Sequence, residues 1–259
     1  MTDAWAIERQ ARRALAIAAV TLAIQNGVLM AFAVLYLPLI VEFGGSRGEV
    51  ATVQSAALLL GGASGPLVGW AFDRLGPRRL FQAGAVLGAL AFVLASRVGS
   101  LSLLVLVYGG LGGLALAALG SQANMIVAAL WYPGARGRAI AVADLGTGFG
   151  AFCFIPLGQA LVSALGWRAT LLVWAALLLA IVLPLNAFQR LPGDGDRACP
   201  APTAPAGWTL ADAVQSAPFW WLGGWIFDVW ASYLPAFGVV VLALLVGLVA
   251  MWRVRVPAS

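Results

Sequence analysis

The chain has 259 residues, of which 62% are hydrophobic and only 10% are charged. Soluble domains carry about a quarter of their residues as charged side chains, so this composition excludes an ordinary soluble globule and a disordered chain. The apolar residues lie in runs of roughly 20, the length that crosses a bilayer core as a helix. The composition therefore predicts an all-α, polytopic membrane protein.

Several residue types are missing, and their absence excludes several chemistries. The chain has no His and no Lys, so His-ligated metals, His general bases and Lys Schiff bases are not available to it. Cys153 lies in an apolar run and Cys199 in a polar connection, which argues against a structural disulfide. We therefore expect no metal, no cofactor and no enzymatic activity.

All fifteen basic residues are Arg, and the net charge is +5. The arginines cluster at the ends of apolar runs, where they anchor helices at the membrane surface. This placement makes the lipid bilayer the expected partner and argues against a nucleic acid. With the N-terminus in the cytoplasm and six alternating spans, ten arginines fall inside and three outside. We therefore expect an N-in protein of the bacterial inner (plasma) membrane.

The chain divides into three predicted parts. Residues 1–190 form a six-span bundle, residues 191–217 a cytoplasmic linker rich in Pro and Asp, and residues 218–259 a C-terminal part. The first run is too long for the apolar region of a signal peptide, so it is read as a retained helix. The six predicted spans are Ala14–Val41, Val50–Phe72, Leu80–Ser96, Leu101–Leu130, Ala139–Leu165 and Ala169–Phe188.

The C-terminal part leaves open whether the chain has seven or eight spans in total. Pro218–Trp230 is apolar and rich in Trp but short for a full span, whereas Tyr233–Trp252 is long enough. If the short segment also crosses, Arg253 and Arg255 lie inside and the count becomes twelve arginines against three. If it lies along the membrane surface, both arginines lie outside.

The connection between the second and third spans carries the most specific pattern, G-x-x-x-D-R-x-G-x-R-R. Gly76 allows a sharp turn, Asp73 ends a helix where it can pair with a cation or a neighbouring helix end, and the arginines hold the loop inside. The pattern resembles the signature loop of the major facilitator superfamily of secondary transporters, whose members use this loop in conformational switching. Its matching residues are Gly69, Asp73, Arg74, Gly76, Arg78 and Arg79.

Three further segments resemble the monocarboxylate and oxalate/formate branch of that superfamily. They are 42–50 after the first span, 131–139 after the fourth, and Gly166-Trp167-Arg168 before the sixth. Together the similar segments cover nearly all of residues 14–190. The resemblance implies transport of a small organic anion by alternating access, coupled to protons or to a counter-anion.

Glycines four residues apart predict close helix packing, because each pair lies on one helix face. Such pairs occur within Gly61/Gly65/Gly69, at Gly109/Gly113 and at Gly146/Gly150. Gly146, Gly150 and Pro156 also resemble the glycine-and-proline pattern of the fifth helix of the superfamily, where the helix bends and packs closely.

Polar side chains are few inside the spans, and they are costly at membrane depth unless they face a cavity or a neighbouring helix. Two roles stay open for the amide side chains of Gln and Asn in the spans, namely interhelical hydrogen bonding and lining of a cavity. Asp144 lies ~9 Å into its helix beyond Arg138, where it can pair with a loop arginine or exchange protons. The candidate cavity-lining residues are Gln25, Asn26, Gln54, Gln122, Asn124 and Asp144.

The resemblance also implies that much of a second half is absent. Superfamily transporters have two six-helix halves with the substrate between them, yet no second signature loop follows residue 190. Residues 209–221 resemble the entry to the seventh helix, and residues 223–237 resemble the end of the eleventh and start of the twelfth. The residues that would select a substrate are therefore expected to lie largely outside this chain.

Two functions follow as alternatives. The first is an internally shortened transporter of small organic anions with impaired activity, in which a homodimer supplies the missing wall. The second is a non-transporting membrane subunit or interaction protein. An intramembrane enzyme is disfavoured, because no paired acids, metal ligands or Ser–Lys dyad is present.

Overall fold

The computed structural model describes residues 2–192, which are helical apart from short connections. The predicted linker, apart from residues 191 and 192, and both C-terminal segments lie outside the described residues. A 3₁₀ turn (Phe32–Leu35) joins α1 to α2, and π-helical segments (Val105–Gly112 and Leu178–Val182) join α5 to α6 and α8 to α9. The α-helices of the described part are α1 (Thr2–Ala31), α2 (Tyr36–Phe43), α3 (Arg47–Ala63), α4 (Gly65–Ala95), α5 (Leu101–Leu104), α6 (Gly113–Ala118), α7 (Ser121–Trp131), α8 (Arg136–Leu177) and α9 (Leu183–Asn186).

Four helical segments of the described part are long and apolar enough to cross a membrane: Ile7–Phe43, Gly65–Ala95, Leu101–Trp131 and Arg136–Asn186. Two of them contain a break. Gly76 has φ 74° in α4, and Gly166 has φ 80° in α8. Side chains strongly disfavour this backbone region, so glycine is what permits the turn at each position.

Six spans result when α4 and α8 are divided at these glycines. Span 1 is residues 2–43, span 2 is 47–75, span 3 is 77–95, span 4 is 101–131, span 5 is 136–165 and span 6 is 167–186. All six correspond to the predicted runs, so the predicted all-α bundle is confirmed. The predicted boundaries at 1–190, 191–217 and 218–259 stay a prediction.

Close contacts give the relative directions of the spans. Gly146 of span 5 faces Ala19 of span 1, and Gly150 faces Ala23. Both pairs are 127 positions apart, so spans 1 and 5 run parallel. In span 3, by contrast, Gly84 faces Leu119 of span 4 and Gly88 faces Ala115. The residue number in span 4 falls as the residue number in span 3 rises, so these two spans are antiparallel.

The same reasoning places span 6 antiparallel to span 1. Asn186 donates a hydrogen bond to Thr21 and Gln189 donates one to the carbonyl of Ala14. The spans therefore alternate in direction, and their connections gather at two ends. We call residues 2–13, 73–79, 131–138 and 187–192 the arginine-rich end, with nine arginines, and residues 42–49, 96–101 and 165–168 the arginine-poor end, with three.

Aromatic side chains fill the centre of the bundle. The Tyr108 ring of span 4 lies 4.6 Å from that of Phe32 and 5.6 Å from that of Phe92, measured between centroids. Phe92 in turn contacts Trp174 of span 6 at 6.2 Å. All four side chains are buried, so one aromatic cluster joins spans 1, 3, 4 and 6.

Candidate functional site

A cleft of about 220 Å³ lies between spans 1, 2 and 4. Its walls are mostly small or aliphatic, and its polar side chains are Gln25 of span 1 and Ser121 and Gln122 of span 4. The cleft is formed because Gly61 of span 2 and Gly113 of span 4 leave no side chain between the two helices: a Cβ on Gly61 would lie 3.5 Å from the carbonyl oxygen of Gly113. We call this space the polar cleft.

The three polar side chains of the polar cleft form no hydrogen bond with any other described residue. Gln25 is only 7% exposed, so its amide lies in an apolar environment with its hydrogen-bonding capacity unused. Amide N–H groups and a hydroxyl can donate to a carboxylate, and unpaired polar groups at membrane depth usually face a cavity. The polar cleft can thus bind a small anion through neutral donors.

Two other candidate amides join helices. Asn26 donates to the carbonyl of Thr147 at 2.9 Å, which connects span 1 to span 5. Gln54 of span 2 accepts from the Tyr36 hydroxyl at 3.2 Å and donates to the carbonyl of Leu29 at 3.4 Å. Both side chains therefore form interhelical hydrogen bonds, the first of the two roles open to them.

Asn124 is fully buried and bonded within its own span. Its amide nitrogen donates to the carbonyls of Leu119 and Gly120 at 2.8 and 3.0 Å. These carbonyls lie where α6 ends and α7 begins, so the side chain bonds backbone acceptors at the helix break; the Gly120 carbonyl also accepts from the Asn124 backbone N–H. Its position is outside the lining of the polar cleft.

Asp144 lies on the opposite side of span 5 from the buried glycines, in an open surface groove with Phe149 and Phe152. Its carboxylate accepts from the Thr147 hydroxyl at 3.2 Å. Neither ion pair of the described residues includes Asp144. The expected pairing with a loop arginine is therefore not found in residues 2–192.

The signature loop lies at the arginine-rich end with its charged side chains exposed. Arg74 lies over the Trp70 ring, 5.3 Å from its centroid, while Asp73, Arg78 and Arg79 have no ion-pair partner in the described part of the chain. A Cβ on Gly69 would meet no described atom within 4 Å. The close helix approach expected at Gly69 is therefore not made within residues 2–192.

Gly146 and Gly150 lie where span 5 crosses span 1. A Cβ on either would overlap with the carbonyl oxygen of Ala19 or Ala23, so only glycine allows this backbone contact. Pro156 lies two turns further along, inside α8 and exposed.

A polar network at the arginine-poor end was not among the candidates from sequence. Arg168 donates to the Glu42 carboxylate at 2.5 Å and to the carbonyls of Ser96 and Val98 at 2.8 and 3.0 Å. The indole N–H of Trp167 donates to the other Glu42 oxygen. The sequence does contain a signal for this network, because Glu42 and Arg168 carry opposite charges and lie in two connections that are predicted on the same side of the membrane. The network joins spans 1, 3 and 6.

Comparison with known proteins agrees with this arrangement. Residues 15–254 match the family model of the Major Facilitator Superfamily. Monocarboxylate transporter 13 of Rattus norvegicus is 31% identical over 156 residues, which are 60% of this chain and 36% of that protein. Monocarboxylate transporter 3 of Mus musculus is 34% identical over 138 residues, 53% of this chain and 28% of that protein.

Monocarboxylate transporter 14 of Homo sapiens is 28% identical over 184 residues, 68% of this chain and 36% of that protein. The chain thus spans about a third of the length of these curated relatives. In the described ranges no three His, Cys, Asp or Glu side chains group as metal ligands. The apolar spans make the protein an integral membrane protein, and the chain belongs to the Major Facilitator Superfamily.

Proposed function

We propose that the protein takes part in transport of small organic anions, of the monocarboxylate or dicarboxylate type, by alternating access. The observation that carries this proposal is the polar cleft, where Gln25, Ser121 and Gln122 form no hydrogen bond with any other residue of the described range 2–192. Three relatives whose names describe monocarboxylate transporters support the substrate class. The proposal requires no chemical conversion of the substrate, so we assign no enzymatic role.

The polar cleft provides only part of an anion site. No arginine lines it, yet a carboxylate in a low-dielectric cavity gains most from a cationic partner. Transporters built from two halves bind substrate between them. We infer that a second copy of this chain supplies the second wall. All twelve described arginines lie at the two ends of the bundle, so this wall adds further neutral donors rather than an arginine at the depth of the cleft. Transport by a single copy is then impaired.

We propose that transport of the organic anion is coupled to movement of a proton or of a counter-anion, and that Asp144 takes part in this coupling. Its carboxylate is partly exposed in an open groove and has only Thr147 as a described partner. This carboxylate belongs to no ion pair of the described residues. The alternative, exchange of one anion for another without Asp144, predicts full activity of Asp144→Asn.

The orientation follows from the two ends of the bundle. Nine arginines lie at one end and three at the other within residues 2–192, so we place the arginine-rich end and the N-terminus in the cytoplasm. A plasma membrane is the proposed location. A bacterial membrane stays a prediction, because the relatives named above are mammalian.

A non-transporting subunit is the second candidate. It is favoured by the open faces of spans 2 and 5, where a Cβ on Gly69 or Gly148 would meet no described atom. Such faces fit a partner helix closely. Reconstituted flux separates the candidates, because a subunit binds its partner without carrying an anion.

Anion binding by the purified chain tests the polar cleft itself. We expect saturable binding of lactate, pyruvate or oxalate in lipid nanodiscs, weakened at least tenfold by Gln25→Leu/Gln122→Leu, since each lost donor to a charged group is worth about 1.5–3 kcal/mol. The matched control is Gln159→Leu, which removes an exposed amide bonded to Ser163 on span 5. Equal weakening by the control, or no binding by the unaltered chain, would refute the assignment.

A further inference from the structure

A second depression lies at the arginine-rich end, on the outer surface between spans 1, 4 and 6. It has a volume of about 520 Å³, and its polar rim includes Arg13 and Arg190. Trp131 lines the same rim and donates its indole N–H to the carbonyl of Arg190 at 2.9 Å. This hydrogen bond holds the backbone of Arg190 against span 4. We call this depression the arginine groove.

Within residues 2–192, no acidic side chain compensates the positive charge on the rim of the arginine groove. Both arginines are exposed, and neither forms an ion pair with a described residue. No carboxylate is present among the groove-lining residues. The ion pair nearest in sequence joins Glu8 to Arg12, so that acid is already occupied by another arginine. Two guanidinium groups that have no ion-pair partner among the described residues lie on one rim, and arginine binds a phosphate group through paired N–H donors.

The remainder of the arginine groove is apolar. Ile17, Val20, Leu185 and Phe188 line it, and Phe188 is 76% exposed. Val20 lies seven residues beyond Arg13 on the same helix, hence ~10 Å deeper along the helix axis. The groove therefore has cationic groups at the level of the lipid headgroups and apolar side chains at the level of the acyl chains. A tryptophan at the boundary is typical of this interface.

We propose that the arginine groove binds one anionic phospholipid, with its phosphate between Arg13 and Arg190 and an acyl chain along Val20 and Phe188. Basic pockets between transmembrane helices on the cytoplasmic side bind lipid headgroups in this way. The site is separate from the polar cleft and does not depend on transport. Lipid binding there would hold the start of span 1 against the end of span 6.

Native mass spectrometry of the full chain in detergent, titrated with phosphatidylglycerol or phosphatidylcholine, tests the proposal. We expect one phosphatidylglycerol to be retained per chain in preference to phosphatidylcholine. Arg13→Gln/Arg190→Gln should weaken its binding roughly ten- to thirtyfold, because each surface arginine contributes about a factor of five. The control Arg78→Gln/Arg79→Gln removes the same charge from the same end and should change binding less than twofold.

Three outcomes would overturn the proposal. Equal weakening by both double variants would mean that general surface charge attracts the lipid. Equal retention of phosphatidylcholine would remove the role of the anionic headgroup. Binding of inorganic phosphate as tight as that of the lipid would assign the arginines to a free anion. If the Gln pair does not fold, Phe188→Ser decides, since it removes only an exposed apolar contact and should weaken lipid binding several-fold.

Discussion

The two ends of the bundle are built in different ways. At the arginine-poor end, Arg168 and Trp167 hold Glu42 and two backbone carbonyls, so spans 1, 3 and 6 are joined by side chains. At the arginine-rich end, the one described ion pair joins neighbours on a single helix, and Asp73, Arg78 and Arg79 stay unpaired within the described ranges. The comparison teaches that a charged network joins the spans at one end, whereas neutral indole and amide hydrogen bonds join them at the other, where no described ion pair connects two spans.

The largest expected effect comes from disrupting the close backbone contact between spans 1 and 5, which lies between the two ends. We expect Gly150→Leu to destabilise the bundle by more than about 3 kcal/mol, because the new side chain would overlap with the backbone of Ala23 in span 1. The measurement is the folded, monodisperse yield and thermal unfolding in detergent. Gly148→Leu, at a position where a Cβ meets no described atom within 4 Å, is the control. Similar losses in both variants would show that the parallel packing of spans 1 and 5 is not as described.

The second expected effect is confined to the arginine-poor end. Arg168→Gln removes an ion pair and two hydrogen bonds to carbonyls, which we expect to lower the free energy of unfolding by about 1–2 kcal/mol, since both charged side chains are partly exposed. Thermal unfolding measures it. Arg97→Gln is the matched control at the same end, because Arg97 has no side-chain partner among the described residues. A loss as large in the control would mean that net charge, not the network, stabilises this end.

At the arginine-rich end, we expect a change in conformational balance without a loss of stability. Asp73 is exposed and unpaired in the described structure, so Asp73→Asn should change the free energy of unfolding by less than about 0.5 kcal/mol. It should still shift the balance between inward- and outward-facing states, because a charge leaves a helix end. Labelling of single reporter cysteines at the two ends measures that balance. Unchanged labelling would argue against a switching role, and a shortened second half should make the shift small.

The smallest effect concerns pH at the start of α3, just before the predicted span begins at Val50. Ser46 caps this helix, and its backbone N–H and hydroxyl bind Glu49 and hold the pKa of that carboxyl below its usual 4.5. Because this pKa is lowered by folding, its stabilising contribution is complete above pH 4.5 and is lost as the pH falls through the folded value. The protection factors of the amides at residues 46–50, which correct for the slower intrinsic exchange in acid, should therefore fall as the pH falls. Glu49→Gln should remove that dependence, and an unchanged acid response in the variant would contradict it.

Much of this architecture could be predicted from the residue pattern alone. Apolar runs gave the six spans because each must cross a bilayer core, and four-residue glycine spacing indicated close packing. Gly76 was predicted as a turn residue, whereas Gly166 was singled out only as part of the Gly166-Trp167-Arg168 resemblance and its turn is seen in the structure. The arginine bias between the two ends was also predictable from the order of charges along the chain.

Individual polar roles could not be predicted in the same way. The amides Gln25 and Asn26 are neighbours in sequence, yet one faces the polar cleft and the other bonds to span 5. That difference depends on helix rotation of about 100° per residue and on which span lies opposite. The Glu42–Arg168 pair joins residues 126 positions apart, so only the packing of spans 1 and 6 shows that they meet.

The central claim is that this chain provides one wall of an anion-transport site. Its most direct test is uptake of labelled lactate, pyruvate, formate and oxalate by proteoliposomes that contain either one copy of the chain or several. We expect no saturable uptake with one copy, uptake with several, and loss of that uptake in Gln25→Leu/Gln122→Leu. Robust saturable uptake by vesicles that hold a single copy would contradict the account, because six spans and their polar cleft would then need no second wall.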